Sequence, residues 1–212
     1  MRKSVGRGEE TMTHTPFNGD RFIGIELRKL IARFGVRHII ETGTWSAHST
    51  REFRTMVPGR IITIDPTYEH LFAEFGAAAV DDLNRQGISA ILGDSSKILE
   101  TVLRWCVPLD PTLIYLDAHG GGANKSNVNP ILEELDAIGR VPGVRLVAIH
   151  DFQVPGKPWG YNGGDWGRGF EPLSYELIQP QLAVIFPSGH GYHYNDEAEG
   201  CQRGIIYVYP NA

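Results

Sequence analysis

Five acidic residues in this 212-residue chain stand at the ends of short apolar runs. They are Glu41, Asp65, Asp94, Asp117 and Asp151. A carboxylate in that position can accept hydroxyls, meet an amine or hold a cation. It can also do no more than cap the helix that follows. At any single position the two readings compete evenly. Repetition at five positions favours a shared crevice, because ligands of open α/β sheets bind outside the carboxyl ends of the strands.

The segment Glu41-Thr42-Gly43-Thr44-Trp45-Ser46-Ala47-His48-Ser49 carries the sharpest signal. Gly43 lets the backbone turn tightly against a ligand. The helix start that follows offers unpaired N–H groups. The later positions, Ser46 and Ala47, break the three-glycine dinucleotide fingerprint, and an acid inside the turn repels phosphate. A ligand with a cationic or amine-bearing end suits the turn better. Asp65 closes the next apolar run, where an acid commonly takes a pair of ribose hydroxyls. Asp94-Ser95 would then face an adenine ring.

The elements that must position these residues alternate. Residues 20–34 place Ile23, Leu27, Leu30, Ile31 and Phe34 on one helical face, with Asp20 as cap and Gly35 as stop. Strands are predicted at 38–40, 60–65, 88–92, 112–116 and 144–149. Helices are predicted between them at 45–54, 68–85, 95–105 and 128–138. This pattern predicts a parallel α/β sheet covered on both faces. Residues 154–172, rich in Gly and Pro, are too long for a simple connector and read as a functional lid or substrate loop, whose Trp159, Tyr161 and Trp166 either cover an aromatic substrate or pin the loop to the domain. A short helix at 174–178 and two strands at 182–186 and 204–209 complete the pattern. The 187–203 connection, with His190 and His193, reads as a solvated loop. Cys106 reads as buried packing, and Lys125 and Lys157 as exposed cations.

Composition narrows the classes. Hydrophobic residues make up 42% and charged residues 21%, an ordinary globular balance. The length suits one domain, taken as residues 17–212 behind a flexible tail at 1–16. The formal charge of −5 argues against a general nucleic-acid surface. No apolar run approaches a membrane span. Two cysteines, Cys106 and Cys201, are too few for a disulfide framework, and a reduced, cytoplasmic protein is expected.

The ordered set of motifs resembles a class I S-adenosylmethionine (SAM)-dependent methyltransferase. The Glu41 turn is similar to that of catechol and caffeoyl-coenzyme-A O-methyltransferases. Thr63-Ile64-Asp65-Pro66, Gly93-Asp94-Ser95 and Tyr115-Leu116-Asp117-Ala118 resemble the later motifs of that group, in the same order. The sequence also resembles the branch that contains macrolide-sugar O-methyltransferases and cephalosporin-hydroxylase-like proteins. The resemblance implies a Rossmann-like seven-stranded sheet, mostly parallel, with helices on both faces and an antiparallel last strand. It implies SAM as cofactor, held by Glu41, Gly43, Ser46, Ser49, Asp65, Asp94, Ser95 and Asp117. Glu41 and Gly43 would meet the amino-acid end, Asp65 the ribose, and Asp94 and Ser95 the adenine. Ala47 stands where the family usually has glycine.

The same resemblance implies a divalent metal held by Asp117, His150 and Asp151. The imidazole would move preference from Mg²⁺ toward Mn²⁺, Fe²⁺ or Zn²⁺. The family's lysine base is replaced by Gly120, and His119 is the substitute by position and intrinsic pKa. The expected reaction is metal-assisted O-methylation of a small hydroxylated substrate, with Asp117 and His119 as catalytic residues. A homodimer is one assembly the resemblance allows. An oxidoreductase using metal and oxygen or a nicotinamide, and a non-catalytic SAM-binding module, remain the alternatives.

Overall fold

Seven of the strands join in one sheet in the computed structural model, which describes residues 15–106, 110–118, 129–143, 145–165 and 170–211. The strands are β1 (His38–Thr42), β2 (Ile61–Asp65), β3 (Ile88–Leu92), β4 (Thr112–Leu116), β5 (Arg145–His150), β8 (His190–Tyr194) and β9 (Ile205–Pro210). A separate two-stranded pair, β6 (Gly163–Asp165) and β7 (Phe170–Pro172), lies in the expected lid segment. The sheet order is β3-β2-β1-β4-β5-β9-β8. The first five strands pair in parallel, and β9 runs antiparallel between β5 and β8. The order reverses at β1 and β4, so a crevice opens beyond their carboxyl ends.

Strand side chains alternate between faces, and both faces are covered. Ile40, Ile62, Ile114 and Val147 pack with the helices α5 (Ser95–Cys106), α6 (Ile131–Gly139) and α7 (Tyr175–Ile185). Ile39, Ile61, Leu113 and Leu146 pack with α1 (Arg21–Phe34) and α2 (His48–Met56) on the opposite side. The first helix follows its sequence signals. Asp20 accepts the Phe22 amide at 2.9 Å, and Gly35 ends the helix at φ 61°. Among the described residues, no helix is long and apolar enough to cross a membrane.

The structure corrects three readings. The 68–85 helix is two helices, α3 (Glu69–Phe75) and α4 (Ala79–Arg85), because Gly76 turns the chain at φ 78°. Residues 182–185 are helical, not a strand. They continue α7 past Pro180, whose missing N–H removes one helix bond but does not stop packing of Ile178 and Leu182 in the core. The sixth strand of the sheet is instead β8, which carries His190 and His193. Neither histidine is a solvated loop residue. His190 lies 3.0 Å from the Tyr175 hydroxyl, and His193 lies 3.2 Å from Glu26 and 3.3 Å from the Tyr209 hydroxyl. The proposed tail to residue 14, and the Trp166 and Lys125 positions, lie outside the described residues.

Candidate active site

The turn after β1 is shaped by contact with β4. Gly43 has φ 87°, and a Cβ there would come within 2.4 Å of the Asp117 carbonyl oxygen. Only glycine fits both the backbone angle and the approach. Hydrogen bonds carry the pairing past the strand ends, from the Gly43 amide to Ile64 (2.8 Å) and from the Asp117 amide to Thr42 (3.0 Å). Trp45 and Ala47 also take left-handed angles, φ 46° and 60°. Ala47 thus occupies a glycine-like conformation with a buried methyl group.

Asp65 braces this turn. Its Oδ2 accepts the Trp45 amide at 3.1 Å and its Oδ1 the Thr67 amide at 3.0 Å. Burial raises its pKa while these amides oppose the rise. The Trp45 ring stacks on His70 with centroids 3.4 Å apart, beside the same acid.

Glu41 lies beneath the turn, 2% exposed. Its Oε2 accepts the Thr50 hydroxyl and, at 2.7 Å, the Thr63 hydroxyl. Burial pushes its pKa up to about 8, against the pull of those hydroxyls and with help from Asp117 and Asp65. Glu41 is therefore uncharged at pH 7 and supports the turn from one layer down. Ser46 is buried in the turn, and the Ser49 hydroxyl accepts the Phe17 amide at 2.9 Å, tying the short 3-10 turn Pro16–Gly19 to α2.

Asp94 behaves as a cap. It accepts the Ser96 amide (3.1 Å) and hydroxyl (2.6 Å) and pairs with Lys97 at 2.9 Å. The Ser96 hydroxyl is the main influence holding its pKa below the usual carboxylate range. Ser95 is buried at the first position of α5.

On the other side of Gly43, Asp117, His150 and Asp151 converge. One donor atom from each lies within 4.8 Å of the others. The His150 Nδ1 is 3.0 Å from Asp117 Oδ1 and 3.4 Å from Asp151 Oδ1. Burial alone would depress the His150 pKa, but the two carboxylates outweigh it and raise it to about 9. At neutral pH the imidazolium faces both acids, and Arg203 adds a second cation beside Asp151. Asp151 sits at φ 55° and is held by the Asn162 side chain at 2.7 Å, with Arg203 at 3.4 Å. Tyr115 stacks on His150 from within the core.

The fold therefore places the sequence-predicted residues among those described at or beyond the carboxyl ends of the parallel strands, while His119 lies outside the described residues. Two charged residues beside these groups carry no assignment from the sequence. Arg203 carries no local signal in the sequence. Glu134 does. It falls on the Ile131, Leu135, Ile138 face of α6, where an acid is out of place. In the segment expected to act as a lid, Trp159 is partly buried and Tyr161 exposed, and Lys157 bonds the Asp196 carbonyl at 2.8 Å.

No protein-family model matches the chain, and no curated protein matches it. Solved structures do. An O-methyltransferase from Bacillus cereus, in complex with S-adenosylhomocysteine (SAH), is similar with a TM-score of 0.57 at 15% identity, over 88% of this chain and 80% of that one. The O-methyltransferase TomG from Streptomyces achromogenes, involved in tomaymycin synthesis and solved with SAM, gives 0.54 at 17% identity, over 88% and 78%. A candidate rRNA methylase from Clostridium thermocellum gives 0.53 at 11% identity, over 87% and 95%. At these identities the likeness is one of fold. The chain has the class I SAM-dependent methyltransferase fold, which serves different acceptors and does not choose among them.

Proposed function

We propose that the chain is a SAM-dependent methyltransferase that methylates a hydroxyl of a small acceptor, assisted by a divalent metal ion. The observation that carries this reading is the contact of Gly43 with the Asp117 carbonyl. Through it, the turn suited to the cofactor and the acid–histidine cluster suited to the metal share one wall of the crevice.

The residues fit both groups. Gly43 lets the turn lie directly against the Asp117 carbonyl, and the Asp65 oxygens, each with one amide partner, retain capacity for ribose hydroxyls. Two carboxylates and an imidazole form a mixed donor set that accommodates Mg²⁺, Mn²⁺, Fe²⁺ or Zn²⁺, with the imidazole favouring the last three. When bound, SAM supplies an electrophilic methyl group for in-line transfer to the acceptor oxygen. The ion, when bound, supplies Lewis acidity that lowers the acceptor hydroxyl pKa.

The chain's own groups do the rest. Asp65 orients the ribose. Glu41 keeps the turn rigid through Thr63, whose hydroxyl in turn meets Thr44 at 2.6 Å. Asp117, His150 and Asp151 hold the ion, and Asn162 and Tyr115 fix their orientation. His119, two residues past Asp117, accepts the acceptor proton, and the lid segment around Trp159 excludes water.

Transfer of labelled methyl from SAM to a panel of catechols and vicinal-diol sugars, with Mn²⁺ or Mg²⁺, tests the proposal. Metal-dependent transfer, lost in both Asp65→Ala and Asp117→Ala, is expected. Full activity of Asp117→Ala removes the metal and keeps the cofactor.

A further inference from the structure

We propose that Glu134 is a positioning residue for the adenosine end of the cofactor, acting through Ser95 at the start of α5. The inference rests on the cofactor reading above and adds a residue outside the series of strand-end acids.

Glu134 stands in the first turn of α6 and is fully buried. Among the described residues neither of its carboxylate oxygens has a hydrogen-bond partner, and the buried Thr42 hydroxyl has none either. The Ser95 and Thr42 hydroxyls lie close enough to offset part of the burial that pushes the Glu134 pKa up to about 7. They stop short of hydrogen-bond geometry. A buried carboxyl with both oxygens unpaired destabilises a fold. A leucine would pack on the Ile131, Leu135, Ile138 face without that loss. Stability does not explain Glu134.

Its neighbours do. Thr42 is the residue before Gly43, and Ser95 is the residue after Asp94. Glu134 thus stands behind both walls of the crevice, the β1 turn and the corner after β3. At that corner the Asp94 carboxylate is already engaged by the Ser96 amide and hydroxyl and by Lys97. The Lys97 and Ile98 amides are bonded to the Asp94 carbonyl, so recognition of a purine there falls to Ser95. Seating the purine presses Ser95 toward Glu134, and the two unpaired oxygens are the acceptors that receive it. The gap closes only when the ligand is bound, which turns a liability of the free protein into binding selectivity.

The test is calorimetric titration with SAH and with 5′-methylthioadenosine, which lacks the amino-acid end, alongside thermal melts. Glu134→Leu should melt at or above the wild-type temperature, yet bind both nucleosides about tenfold more weakly, the worth of one hydrogen bond. Glu134→Gln keeps an acceptor and should stay within about threefold of wild type. Ser95→Ala should reproduce the leucine loss, and adding Glu134→Leu to it, or Glu134→Met where leucine does not fold, should weaken binding no further. Wild-type affinity in Glu134→Leu or Ser95→Ala overturns it, and so does a loss confined to SAH. A lower melting temperature with no rescue by glutamine assigns Glu134 a structural role and also overturns it. If the wild-type protein binds neither nucleoside, the cofactor reading itself fails.

Discussion

Replacing Glu41 by glutamine should change the pH dependence of stability in a calculable way. The carboxyl is 2% exposed, and its pKa rises from 4.5 to about 8 on folding, chiefly through burial. Between those values the unfolded chain is ionised and the folded chain holds the proton. Folding therefore takes up one proton, and its contribution to stability declines as pH rises. The decline is about 1.4 kcal/mol per pH unit from pH 4.5 upward and levels off above about pH 8. Over the whole window it reaches about 5 kcal/mol at most. Glutamine mimics the protonated acid, and its oxygen can keep the Thr50 and Thr63 hydroxyl bonds made to Oε2. Glu41→Gln should match wild type near pH 4.5 and be the more stable protein at pH 8, the difference widening steadily between. Urea unfolding of both proteins at half-unit steps from pH 4.5 to 9 measures this directly. A difference that does not change with pH would show that Glu41 is ionised in the folded protein and that the neutral-brace account of the turn is wrong.

Other outcomes follow from the same geometry. Gly43→Ala puts a Cβ 2.4 Å from the Asp117 carbonyl at φ 87°, and should cost about 1–3 kcal/mol of stability along with nucleoside binding; an unchanged melt contradicts the contact. Asp94→Ala removes the α5 cap and should lower the melting temperature by about 2–4 °C, for about 1 kcal/mol lost. Metal binding at Asp117, His150 and Asp151 must expel the imidazolium proton, whose pKa is about 9, so Mn²⁺ affinity should rise about tenfold per unit from pH 6 to pH 8. A flat profile in isothermal titration excludes the imidazole as a ligand.

The parallel half of the sheet was legible because its strands are continuous aliphatic runs with acids at their ends. Ile61–Asp65 and Thr112–Leu116 are buried along their whole length, and composition alone marks such strands. The antiparallel edge was not legible for the opposite reason. His190–Tyr194 has no aliphatic residue, lies at the sheet edge and is only partly buried, so aromatic stacking such as Tyr175 on Tyr192 replaces the usual apolar pattern. Pro180 hid the second half of α7, although Ile178 and Leu182 keep the helical four-residue spacing. In the site, the strand-end rule located Glu41, Asp65, Asp94, Asp117 and Asp151, but not their different duties. Asp94 is a cap and Glu41 a buried brace, and those differences arise from burial and partners contributed by other elements. Glu134 was visible as an acid on an apolar face, yet its neighbours come from β1 and α5.

The central claim is that the crevice beyond β1 and β4 binds the SAM-type nucleoside. Calorimetric titration of the purified protein with SAH, repeated with Asp65→Ala, tests it most directly. The account predicts micromolar binding to the wild-type protein, weakened about tenfold or more in Asp65→Ala as hydrogen bonds to a charged group are lost. No binding to the wild-type protein, with or without Mn²⁺, would contradict it.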